Sequence, residues 1–177
     1  LGVLVALDAL VLTLFWTLSL LPLRSELQRR GERTASAAFN VVFLGSTLPM
    51  VLFVTVLGLG FGLDVLTHAV GSEASRAPFD LIQLSRSGAL GSGPRSAVLY
   101  SLLLLGALSR MGCFPLHLWM PPLSERGPGP LMLVSFATPL GLFLLARIAA
   151  PLFPSLCQQT MPWLLPLSHC TIQMADE

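Results

Sequence analysis

Arg110-Met111-Gly112-Cys113-Phe114-Pro115-Leu116-His117-Leu118-Trp119-Met120-Pro121 follows directly on an apolar run, 97–108, so the chain places a guanidinium inside a hydrophobic segment. A charge turned toward lipid is costly, and an ionisable group in such a segment is expected to face a protein interior or a wet cavity. Gly112 and Pro115, just beyond the arginine, are expected to break the helix that carries it. A charge beside a broken membrane helix points to an ion path.

The rest of the composition agrees with a membrane setting. Of 177 residues, 54% are hydrophobic and 11% charged, too apolar a balance for an ordinary water-soluble domain. A helix needs about 20 largely apolar residues to cross a bilayer core, and four stretches qualify: 1–23, 35–63, 97–120 and 131–153. The expected fold is an all-α membrane protein of about four transmembrane helices, the third discontinuous. Residues 1–153 would form the transmembrane region and 154–177 a Pro-rich tail, too interrupted by Pro154, Pro162 and Pro166 for a fifth crossing.

Ten Arg, no Lys and a net charge of +1 spread over the connections exclude the concentrated basic face of a nucleic-acid binder. Cys113, Cys157 and Cys170 have no CxxC spacing, which gives no sign of a zinc site or disulfide framework. The chain opens without Met, and its first segment lacks a basic leader, so its start is expected to be a processing site or the edge of a fragment.

Charge also orients the segments. The connection 24–34 holds four Arg against two Glu, and by the positive-inside rule it faces the cytoplasm or matrix. The connection 64–95 is balanced in charge and rich in Gly and Ser, and is expected on the outer side. Gly58, Gly60 and Gly62 near the end of segment two suggest close helix packing. Pro139, near the middle of segment four, is expected to kink it.

Arg110 has two readings: an electrostatic element of an ion path, or a structural charge paired with a carboxylate or backbone carbonyls. Guanidinium, with a pKa above about 12, can polarise or gate a path but cannot relay a proton. His117 has the side chain that titrates near neutrality. It either leads protons to an inner water channel or ends a helix with a loop hydrogen bond. Trp119 is expected to be an interfacial anchor. Asp8, inside segment one, must be paired or wet, unless it lies at the outer mouth. His68, His169, Asp80 and Glu125 are expected on solvated surface. No catalytic triad, phosphate loop or metal-ligand cluster stands out.

In order, these residues resemble the antiporter-like membrane subunits of respiratory complex I, in particular the NADH-ubiquinone oxidoreductase chain 4 type, the bacterial subunit M type. Pro115, His117, Trp119 and Pro121 after Arg110 match the signature that follows the lysine of the family's discontinuous helix. Phe15-Trp16-Thr17 with Leu21-Pro22-Leu23 resembles the end of the fifth helix. Ala38-Phe39 through Ser46 is similar to the start of the sixth, and Phe79-Asp80-Leu81 to the loop before the seventh. Leu144-Leu145-Ala146-Arg147 with Pro151-Leu152-Phe153-Pro154 is similar to the end of the eighth. A full subunit has about fourteen helices, so the resemblance covers a central fragment, the fifth to the eighth.

The resemblance implies a membrane-arm subunit of a proton-translocating NADH:ubiquinone oxidoreductase in the respiratory electron-transport chain. It would lie in the mitochondrial inner membrane or, alternatively, a bacterial plasma membrane. Its partners would be other membrane-arm subunits, including a companion chain that supplies the missing helices, and the lipid bilayer, with bound phospholipid. It would bind no redox cofactor itself; NADH, FMN, iron-sulfur clusters and ubiquinone would belong to partner subunits. Arg110, His117 and Thr17 become proton-path candidates, Gly112 and Pro115 the helix break, and Pro139 a kink where the family has a lysine. Thr17 stands where the family has a glutamate, and Arg110 where it has a lysine. Each change replaces a titratable carrier with a group that does not titrate near neutrality, which implies a degenerate half-channel. A scaffold without ion transfer, or a subunit of a related cation/proton antiporter or membrane-bound hydrogenase, are the alternative readings.

Overall fold

The structure, a computed structural model, describes residues 8–30, 33–67, 79–87, 93–113, 116–119 and 139–160, together with 162, 163 and 166. The elements are helical: α1 Ala9–Leu18, α2 Leu21–Arg30, α3 Arg33–Thr67, α4 Leu81–Ser87, α5 Pro94–Met111, a 3-10 turn Leu116–Trp119, and α6 Pro139–Leu152, which contains the π-helical stretch Leu145–Ala149. Residues 154–160 form a further helical stretch, α7.

Two aspartates start two of these helices. The Asp8 carboxylate accepts from Leu10 N–H at 2.8 Å at the head of α1, and that of Asp80 accepts from Ile82 N–H at 2.9 Å at the head of α4. An antiparallel bridge joins the two caps, with Ala9 N–H donating to Phe79 O at 2.9 Å. Asp8 therefore stands at the head of α1, next to the start of the span Ala9–Arg29. Inside α1, the hydroxyls of Thr13 and Thr17 each bond back to the carbonyl four residues earlier, which keeps them satisfied in an apolar helix.

Segment one differs from expectation. A turn at Ser19–Leu20 separates α1 from α2, and of the basic residues expected in a loop Arg24, Arg29 and Arg30 lie on α2 while Arg33 opens α3. Leu, Gln, Glu and Arg are good helix formers, and Leu27 anchors α2 by packing with Leu20, Phe39, Val42 and Trp119. Among the described residues two stretches are long and apolar enough to cross a membrane, Ala9–Arg29 and Ser36–Gly60, and α6 is apolar but shorter. The third expected crossing ends early at Gly112, whose φ of 69° is left-handed. The fourth is described only from Pro139, an exposed residue in the first described turn of α6; residues 131–138 lie outside the described residues, and so does the kink expected there.

The helices α3 and α5 run antiparallel. Gly60 faces the Arg95 guanidinium at one end, Gly106 faces the Ser46 carbonyl and Met50, and Gly45 faces Ser109. The close backbone approach is thus at Gly45 and Gly106. Gly58 and Gly60, expected to admit a helix, instead admit the Phe79 ring and the Arg95 side chain. Against α5 lies α6, also antiparallel: Gly141 packs on the Ala107 carbonyl and Met111, and Phe153 meets Tyr100 edge-on with ring centroids 5.8 Å apart. Tyr100 also hydrogen-bonds Thr160 of α7. Two apolar clusters result. One holds Leu12, Trp16, Phe53, Leu57, Leu99, Leu103 and Leu144, and the other Leu20, Leu27, Phe39, Val42 and Trp119.

Candidate functional site

The site lies where the two clusters meet and is built from two helix breaks. At the first, Leu20 N–H turns to Thr17 O at 3.2 Å in place of the Trp16 carbonyl four residues back. Arg110 reaches that carbonyl from α5: one Nη donates to Trp16 O at 3.1 Å and the other to Ser19 Oγ at 2.5 Å. Ser19 Oγ in turn donates to Trp16 O at 2.6 Å. The guanidinium carbon stands 4.8 Å from the centroid of the Trp16 ring, a cation–π contact. The indole N–H of Trp16 donates to Ser46 O at 3.2 Å, which ties the cluster to α3.

At the second break, the N–H groups of Gly112 and Cys113 both bond to Leu108 O, leaving Ser109 O to the indole of Trp119, which donates to it at 2.9 Å. Trp119 is buried, so it is a helix cap and not the expected interfacial anchor.

Depth follows from helix rise. Ser46, whose carbonyl accepts the Trp16 indole N–H, is two positions from the middle of the span Ser36–Gly60. At about 1.5 Å per residue, Ser46 lies at least about 15 Å from either end of its span, half of a bilayer core of about 30 Å. Arg110 is 1% exposed, and its partners among the described residues are a carbonyl, a hydroxyl and an indole face, all neutral. The structural alternative for Arg110, pairing with backbone carbonyls, is therefore realised in part. Two buried polar atoms have no hydrogen-bond partner among the described residues, Nε of Arg110 and Oγ of Ser46.

Of the expected site residues, Arg110 and Gly112 come together here. Thr17 is next to Trp16 in sequence, but its hydroxyl donates to Thr13 O at 2.9 Å within its own helix. His117 has its backbone in the 3-10 turn, and its side chain lies outside what the structure describes, as does Pro115. Trp16 and Ser46 entered the sequence reading only within motifs of the resemblance, with no site role, and Ser19 did not enter it. The serine three positions after a tryptophan in an apolar segment was the available signal, since an apolar helix offers few other hydroxyls.

Arg110 is thus a buried cation held between two helix breaks. The family model described as NADH:quinone oxidoreductase/Mrp antiporter, transmembrane, matches residues 6–176. The chain belongs to this family. As a member of it, and with two apolar spans, it is an integral membrane protein. It is 26% identical to F(420)H(2) dehydrogenase subunit M of Methanosarcina mazei over 155 residues, 87% of this chain and 30% of that protein. It is 43% identical to NAD(P)H-quinone oxidoreductase subunit 5, chloroplastic, of Zea mays over 67 residues, 36% of this chain and 8% of that protein. The chain thus spans under a third of the length of the curated relatives it matches. No solved structure matches.

Proposed function

We propose that this antiporter-family chain is the central part of a chain 4 type (subunit M type) subunit in the membrane arm of a proton-translocating NADH:ubiquinone oxidoreductase. In this reading it carries a fixed charge and a degenerate proton half-channel. The observation that supports this is the Arg110 cluster: a permanently charged guanidinium at mid-span, closed in by neutral partners. Such a group sets an electrostatic potential for ions moving nearby but does not exchange protons itself. Its partners in this reading are other membrane-arm subunits. NADH, FMN, iron-sulfur clusters and ubiquinone act in partner subunits. The host membrane is the mitochondrial inner membrane or a bacterial plasma membrane.

A second reading, a subunit of a cation/proton antiporter without redox partners, is favoured by the family description, which names both classes. Native electrophoresis of mild-detergent extracts, with mass spectrometry locating this chain, separates the two. Migration with flavin and iron-sulfur subunits of an NADH-oxidising assembly supports the first; migration apart from every redox subunit removes it. Within such an assembly, Arg110→Met should lower assembly more than the proton-to-electron ratio, and intact assembly with a lowered ratio would contradict the fixed-charge role.

A further inference from the structure

Arg147 is an exposed cation on the π-helical stretch Leu145–Ala149, and nothing among the described residues pairs with it. Its depth can be traced through ring contacts. Phe153 meets Tyr100 at 5.8 Å, and Tyr100 is six residues, about 9 Å of helix, beyond the start of α5 at Pro94. Arg147 is six residues before Phe153, about 9 Å further along α6 toward Gly141, which packs beside the Ala107 carbonyl. The Pro94 end of α5 lies beside Gly60, the end of the span Ser36–Gly60, where Gly60 faces Arg95. Counted from it, the Arg147 backbone lies about 10 Å deep through the Gly141–Ala107 contact and about 18 Å through Phe153, inside a core of about 30 Å. Helical side chains lean toward their own N-terminus, so Arg147 leans toward Gly141 and away from the Pro94 end, where lipid phosphates would be found.

The outward face around it is Leu142, Ala146 and Pro151, apolar and in part small. A guanidinium facing hydrocarbon at that depth is costly, and membrane-buried charges are paired. The π turn that carries Arg147 is a rare geometry that is frequent at functional sites. We infer that this face of α6 is covered by a neighbouring transmembrane helix that presents an aspartate or glutamate to Arg147, with Ala146 allowing close approach. This rests on the chain being embedded in a bilayer, and it holds whether the neighbour belongs to a redox complex or to an antiporter.

The test uses the full chain in its native membranes. A photo-crosslinking amino acid in place of Ala146 leaves Arg147 intact and reports what lies beside it. The expected product is a peptide of a membrane helix with Asp or Glu within one turn of the crosslink. Arg147→Glu should lower the chain recovered in its native assembly at least tenfold, Arg147→Lys should retain most of it, and Arg147→Glu paired with Arg in place of the crosslinked carboxylate should restore it. Adducts to phospholipid only, no adduct, an adduct to a helix without a carboxylate, undiminished assembly of Arg147→Glu, or failure of the charge exchange to restore it would each overturn the inference. An acidic helix captured from an assembly without redox subunits would sustain the inference while removing the NADH:ubiquinone oxidoreductase reading.

Discussion

Arg110 caps the end of a helix 94 positions earlier in the chain: its guanidinium donates to the Trp16 carbonyl at 3.1 Å and so closes the turn between α1 and α2. A charge that reads in sequence as part of a path is also a structural fastening between two halves of the molecule. Because its two Nη groups serve different acceptors, Trp16 O and Ser19 Oγ, a lysine with one ammonium cannot replace it fully. Arg110→Lys should destabilise the protein by about 1.5–3 kcal/mol, the worth of one hydrogen bond to a charged group. Thermal unfolding in detergent or nanodiscs would measure this, and an unchanged midpoint would show that the fork geometry does not matter.

Gly112 ends α5 with a φ of 69°. A side chain in that region costs about 1–2 kcal/mol, and Asn tolerates it better than Ala. Gly112→Ala should therefore lower the unfolding midpoint, with Gly112→Asn falling between wild type and Ala. Equal midpoints for Ala and wild type would mean that the break does not need a left-handed residue.

The Trp119 indole holds the Ser109 carbonyl that the Gly112 turn releases. Trp119→Phe keeps most of the ring and removes the N–H, leaving a buried carbonyl unpaired at about 1–3 kcal/mol. Trp119→Ala also opens a cavity, for about 3–5 kcal/mol. The order wild type, Phe, Ala in resistance to thermal unfolding or limited proteolysis is the expected outcome. An interfacial anchor would give a small loss for Phe and no dependence on the N–H.

At the α3–α5 crossing, a Cβ on Gly45 would come within 2.5 Å of Ser109 Oγ. Gly45→Ala should destabilise by about 1–3 kcal/mol through overpacking, despite alanine's better helix propensity. Ser109→Gly should relieve the clash, so the double variant should show a favourable coupling of about 0.5–3 kcal/mol. Additive effects would mean the helices separate freely at this point.

The membrane class was legible from hydropathy, because lipid demands long apolar helices and nothing else in the chain competes with that signal. The end of the helix after Arg110 was legible too, since Gly112 is a local feature. The turn at Ser19–Leu20 was missed although Pro22, in the first turn of α2, is a local signal for a helix start; the break is completed by a side chain from α5. The basic connection 24–34 was read as a loop because its charges are dense, yet Leu27, with Leu23 beside it, gives α2 an apolar anchor. Trp119 looked interfacial because tryptophan often is. Its burial depends on a carbonyl that becomes available only once the Gly112 turn has formed.

The sequence by itself determined the solvent of this protein, the helical class, the presence of a charge in an apolar segment and the place where its helix must stop, because these depend on composition and on backbone chemistry within a few residues. Tertiary structure decided what that charge does. The carbonyls freed by two breaks, one at Trp16 and one at Ser109, are met by Arg110 and Trp119. In a core without water each freed carbonyl must find a donor, and which donor arrives is set by how the helices cross, not by neighbours along the chain.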